Sequence, residues 1–266
     1  MQYRLGMVRA YGFAESWFSH DGKHRTVYTM GEGPGVVIMP EMPGITPEVA
    51  RFAIRIADEG YSVFVPQLFG VPGRSLSTRA LLSTFGQVCV SREFDLLASG
   101  RASPITDWLR ALCRDVHAKV GGKGVGAIGM CLTGNFALAL MVDPVVMAPV
   151  LSQPSLPLGV GARRKAGLHL SEGDLDTVRA RTRAGCTVLG LRFTHDPLCP
   201  PERFAALRSA LGEGFEGVEI YSGPGNAHGI KRTAHSVLTN DIVDRQGHPT
   251  RAALDRVLAL LDERLR

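Results

Sequence analysis

Two spacings of apolar residues alternate along this chain. Short, nearly continuous apolar runs at 36–39, 61–66, 125–128, 145–151, 187–193 and 218–221 read as buried strands. Between them, apolar residues recur every three or four positions, the spacing of a helix with one buried face. The stretch 47–59 carries Val49, Phe52, Ala53 and Ile56 on one stripe. Thr46 is placed to cap it, Pro47 suits its first turn and Gly60 its end. Ser103-Pro104 opens a second helix, with Ile105, Leu109, Leu112 and Val116, that stops at Gly121. Further helices are expected after residue 131 as far as Met141, and at 174–184, 201–211 and 250–265. Residues 67–102 read as irregular, with a short helix near 78–98. No linker, repeat or composition break divides the 266 residues, so one domain over 1–266 is expected. Strand–helix alternation predicts an α/β fold: a mostly parallel central sheet with helices on both faces.

In such sheets, sites form at the carboxyl ends of the strands. The segment VGAIGMCLTGNF, from Val125 to Phe136, is an apolar strand, a tight turn and the start of a helix, with Cys131 at the apex. A thiol there lies at a helix N-terminus, where the dipole favours negative charge. The N–H of Leu132, freed by the helix start, is placed to stabilise an oxyanion. The same segment also suits a small buried thiol without chemistry.

Three other reactive side chains follow strands. Glu41 comes after 36–39, Asp196 after 187–193, and His228 sits in the glycine-rich SGPGNAHG after 218–221. Nucleophile, acid and base then run Cys131, Asp196, His228, the chain order of α/β-hydrolases. His228 would hold or take a proton and Asp196 would orient its ring. Each has a plainer reading. Asp196 before Pro197 would cap a helix or make an Asx turn, His228 would be a loop histidine, and Glu41 a solvated one. Their convergence on strand ends favours chemistry. His195 reads as a neighbour of Asp196, and Cys199 receives no role.

The blocks MPEMPG around Glu41, GMCLTG around Cys131, THDPLCP around Asp196 and GNAHGIKR around His228 resemble the dienelactone hydrolase (carboxymethylenebutenolidase) family, over roughly residues 35 to 235. The resemblance implies a single α/β-hydrolase domain without metal or organic cofactor. It implies hydrolysis of a small lactone or carboxylic ester through a thioester acyl-enzyme. Glu41 would accept the thiol's proton when substrate arrives, and His228 would activate water. The N–H of Met42 would join that of Leu132 in the oxyanion hole. Arg232, four residues past His228, and Arg92 would grip a substrate carboxylate. Thr133 departs from the family's usual glycine, and the segments 155–175 and 233–249 look longer than the family core needs. A broader carboxylesterase or thioesterase, a non-catalytic ligand-binding relative and a thiol redox sensor are the competing readings.

Composition narrows the setting. Hydrophobic residues make up 45% and charged residues 21%, as in a soluble globular chain. The five cysteines are scattered, without CxxC, which argues against a disulfide framework or zinc site and for a reducing cytoplasm. No apolar stretch approaches a membrane span, and the first residues lack a signal peptide's apolar region. The net charge of +5 comes from dispersed arginines; those at 179, 181 and 183 read as a solvated helix face rather than a nucleic-acid patch. The expected partner is a small ester or lactone, with no nucleic acid or membrane, bound by a monomer or homodimer.

Overall fold

Eight strands form one sheet, and the site grows from the carboxyl ends of its central members. The structure is a computed structural model and describes residues 10–77, 81, 84, 104–155 and 165–266. In chain order these are β1 (Ala14–His20), β2 (Lys23–Met30), β3 (Gly35–Met39), α1 (Pro47–Asp58), β4 (Ser62–Pro66), α2 (Pro104–Val120), β5 (Val125–Met130), α3 (Gly134–Leu140), β6 (Val146–Ser152), α4 (Glu172–Arg183), β7 (Val188–Phe193), α5 (Pro201–Leu211), β8 (Phe215–Ile220) and α6 (Pro249–Leu265). The sheet order is β1-β2-β4-β3-β5-β6-β7-β8. The β1–β2 and β2–β4 pairs are antiparallel, and all pairs from β4 through β8 are parallel. This is the α/β-hydrolase arrangement that the alternation and the resemblance led us to expect.

The period-two alternation within each strand feeds two cores. On one face Val37, Met39 and Ala127 pack with Ile105, Leu109, Leu112 and Val116 of α2 and with Phe136 of α3. On the other, Val36, Ile38, Ile128 and Val150 meet Val49, Phe52 and Ile56 of α1 and Val257, Leu260 and Leu261 of α6. Each such side chain, fully buried, stabilises the fold by roughly 1.5–3 kcal/mol, which fixes the helices over the sheet. Thr46 caps α1 by accepting from the Val49 N–H at 3.3 Å. Gly31 and Gly33 have positive φ, and a Cβ on either would run into the backbone carbonyls of Tyr61 or Gly60. These glycines therefore admit a close approach of chain rather than a cofactor.

Of the helix expected near 78–98 only Leu81 and Thr84 are described, both helical, and part of the 155–175 segment lies outside the described residues. The β1–β2 hairpin was not foreseen. Its β1 strand AESWFSH is exposed or half-buried along its whole length, so it carries no clean apolar face.

Candidate active site

Cys131 sits at the turn between β5 and α3, in a single 3-10 turn over Cys131–Thr133. Its φ is +56°, a left-handed backbone uncommon for a side chain with a Cβ, which aims the thiol away from the sheet. Neighbours hold it there. A Cβ at Gly129 would strike the Thr133 carbonyl, and one at Gly134 would press on Pro154. The Thr133 hydroxyl, fully buried, accepts from the Met130 N–H at 2.9 Å and faces the carbonyls of Met39, Pro40 and Met130 at 2.9, 3.2 and 2.9 Å. The departure from glycine at 133 thus adds a tie between the elbow and the end of β3. Asn135 extends the support, donating to the carbonyls of Leu132 and Ser155 at 3.1 and 2.8 Å and accepting from Arg203 at 2.9 Å.

Asp196 follows β7 and is buried. One carboxylate oxygen accepts from the Leu198 N–H at 2.9 Å. The other meets Nδ1 of His235, not of His228, at 2.6 Å. The expectation that His228 pairs with Asp196 is therefore corrected: the ring beside this acid belongs to His235. The remaining ring nitrogen of His235, Nε2, is buried without a hydrogen-bond partner, and the ring lies close enough to Cys131 for the sulfur to act on its proton affinity. The ring's proton affinity lies well above the usual histidine range. Burial disfavours the charged ring, but the charge on the Cys131 sulfur and the hydrogen bond to Asp196 outweigh it.

The reason His228 stays away is local. Asn226 donates to the carbonyls of Gly223 and Ile230, both at 2.9 Å, and accepts from the Ile230 N–H at 2.8 Å. That closes 223–230 into a self-contained turn outside β8. His228 is exposed there, edge-on to His248 with ring centroids 5.2 Å apart, on a groove shared with Tyr221 and Arg256. The chain then returns, and Asp241 accepts the backbone N–H groups of His235 and Ser236 at 2.9 and 3.0 Å. The 233–249 stretch, which looked like an appendage, carries the histidine itself. A usable signal was present: His235 is followed by Val237 and Leu238, both buried, whereas His228 is followed by glycine and two cations.

Glu41 follows β3, which pairs with β5, so it lies beside the elbow strand as expected. It is buried, and its carboxylate accepts from Ser236 Oγ at 2.7 Å, Asn240 Nδ2 at 3.2 Å, Gln153 Nε2 at 3.3 Å and the Thr239 hydroxyl. Burial raises its proton affinity, against the lowering effect of the Thr239 and Ser236 bonds. Gln153 and these loop donors were missed from sequence. Met42 is half-buried one residue past Glu41, and Leu132 is buried one residue past Cys131. Arg232 is exposed, three residues before His235, so the spacing counted from His228 no longer supports it. Arg92 lies outside the described residues.

Burial, with help from Asp143, pushes the Cys113 thiol up to about 12. Burial and then Asp196 raise Cys199, and burial raises Cys186. Among the described residues no group of three or more His, Cys, Asp or Glu is arranged to hold a metal ion. No described helix is long and apolar enough to cross a membrane.

Sheet order, elbow and strand-end acid together define the α/β-hydrolase class. Within it the assignment is specific: the profile of the dienelactone hydrolase family matches residues 24–263, and the chain belongs to that family. A Saccharomyces cerevisiae protein named "Putative carboxymethylenebutenolidase" is 29% identical over 143 residues, half of this chain and half of that protein. This chain thus aligns with only about half the length of that curated relative. Among solved structures, a "Putative Dienelactone Hydrolase" from Klebsiella pneumoniae superposes with a TM-score of 0.63 at 19% identity, over 94% of this chain and 98% of that one. A dienelactone hydrolase-like promiscuous phosphotriesterase from metagenomic libraries gives 0.60 at 18% identity, over 96% and 98%. These likenesses concern the fold.

Proposed function

We propose that this chain hydrolyses a small lactone or carboxylic ester with Cys131 as nucleophile, His235 as proton carrier and Asp196 as its orienting acid. The observation that carries the reading is one ring held by Asp196 at Nδ1, its Nε2 left without a hydrogen-bond partner and the elbow thiol close enough to act on its proton affinity. The sulfur, its proton held by His235, attacks the carbonyl carbon. The carbonyl π electrons move to oxygen, where the N–H groups of Leu132 and Met42 stabilise the oxyanion. Collapse breaks the carbon–oxygen bond, and the leaving alkoxide takes the proton from Nε2, leaving a thioester on Cys131. In a lactone that alcohol stays tethered to the acyl group. Water then gives a proton to His235 and attacks the thioester. The carbon–sulfur bond breaks, the acid departs, and the thiolate–imidazolium pair is restored.

Small carboxylic esters and lactones are the substrate class that the family supports. Arg232 receives no grip on substrate in this reading. A single experiment tests the core of it. Incubation with p-nitrophenyl acetate should give sustained release of nitrophenol and, on acid quench, an acetyl group on the Cys131 peptide. Cys131→Ala should lose turnover by about a thousandfold or more. Stoichiometric binding without turnover would instead mark a ligand-binding relative, and turnover surviving Cys131→Ala would remove the thiol from the mechanism.

A further inference from the structure

A carboxylate offers about four lone-pair sites, and Glu41 has four donors: Ser236, Thr239, Asn240 and Gln153. Its acceptor capacity is filled without Cys131. Three of the donors belong to one turn, and that turn begins at the residue after His235. The fourth, Gln153, is itself buried at the end of β6 with φ +35°, and its amide oxygen accepts from the Val237 N–H at 3.3 Å. Glu41 and Gln153 therefore grip the same short segment from the ends of β3 and β6, the two strands that flank β5. Asp241 holds the backbone of that segment from the solvent side.

From this geometry we infer that Glu41 is a positioning residue: it clamps the Ser236–Asn240 turn so that His235 faces Cys131. The inference rests on the catalytic reading of Cys131 and His235 above. The charged groups facing Glu41 are His235 and Asp241. The chemistry is reasonable because a buried carboxylate is tolerated only when its lone pairs are met, so the four bonds are strong and hold the loop rigidly. A misplacement of about 1 Å at a reacting group lowers rate by as much as a hundredfold, so clamping has a direct kinetic meaning.

Clamping and the proton-acceptor role are separated by changing the donors and leaving Glu41 in place. Ser236→Ala combined with Thr239→Val removes two donors and would free Glu41 to act as a better base. If Glu41 clamps the turn, kcat for p-nitrophenyl acetate falls about tenfold or more with KM nearly constant, and Thr239→Ser restores most of it. The pH midpoint of Cys131 alkylation by iodoacetamide also moves upward, because His235 no longer stands firmly against the sulfur. Unchanged kcat and an unchanged alkylation midpoint in the double variant would overturn the clamp. If circular dichroism shows the double variant unfolded, the two single variants are read by the same criteria. If the wild type turns over no ester, the catalytic reading fails, while the alkylation midpoint still decides whether Ser236 and Thr239 hold His235 in place.

Discussion

Two neighbouring loops each present a histidine after β8, and only one of them reaches the acid. The 223–230 loop is closed by its own asparagine, rich in glycine and exposed, and it leaves His228 beside His248. The 234–241 loop is closed by Asp241, buries Val237 and Leu238, and is tied to strand ends through Glu41 and Gln153. A loop that satisfies its polar groups internally can stand anywhere on the surface. A loop whose polar groups are satisfied by the core has one position only. Proximity to a strand end along the chain is a weaker guide to the site than the destination of a loop's hydrogen bonds.

The comparison breaks most sharply on paired histidine variants. His235→Ala should lower kcat/KM by roughly a hundred- to ten-thousandfold, the usual weight of a positioned acid–base group. His228→Ala should leave it within about twofold. Steady-state rates on one ester decide it, and a collapse in the second variant would mean that the outer loop swings inward during turnover. A smaller effect is expected from Asp241→Ala, which loosens the backbone of the inner loop without touching its ring. A buried backbone N–H left unpaired costs about 1–3 kcal/mol, and Asp241 satisfies two, so the thermal midpoint should drop and kcat with it. Asn226→Ala is the control in the outer loop: some stability lost, kcat retained. Equal kcat losses in both variants would erase the distinction between the loops.

Much of this was legible before any coordinates. The helices at 47–58 and 104–120 were announced by proline and apolar spacing, and the buried strands by nearly unbroken apolar runs. Cys131 was legible because glycine, strand and helix converge on it, and Asp196 because it ends a core strand. His235 was not, since a glycine-rich turn after a strand looks like the site's own loop and Asn226's ring closure leaves no trace in apolar spacing. The β1–β2 hairpin was illegible for a related reason: β1 is an edge strand exposed or half-buried along its whole length, so alternation does not mark it. Glu41's place was readable, but its partners sit 112 to 199 residues further along the chain and no local pattern links them.

The ring state of His235 gives a gentler test. A histidine whose folded proton affinity is raised contributes stability fully below its unfolded value, about 6.5, and loses it as pH rises through the folded value. Burial opposes the charged ring here, and Cys131 and Asp196 hold the proton on it. Wild-type unfolding midpoints should therefore decline from neutral to alkaline pH more than those of His235→Gln, with Cys131→Ala between them. Urea melts at fixed temperature across that range measure it. Parallel curves for all three proteins would show that the ring is not held charged by its neighbours.

The smallest expected effect concerns Arg232, and it sharpens the comparison from the other side. Its suggested role came from a spacing of four residues after His228, and that spacing has no meaning once the ring beside Asp196 is that of His235. Arg232 is exposed in the stretch between the two loops, where a cation is well hydrated and gains little from a substrate carboxylate. Two esters of matched size, one bearing a free carboxylate and one neutral, report on this directly. In Arg232→Ala the ratio of their kcat/KM values should stay within about twofold of the wild-type ratio. A selective loss of tenfold or more on the carboxylate ester, about 1.4 kcal/mol, would place the guanidinium in contact with substrate during turnover. The stretch between the two loops would then belong to the binding site, although His228 beside it stays away from Asp196.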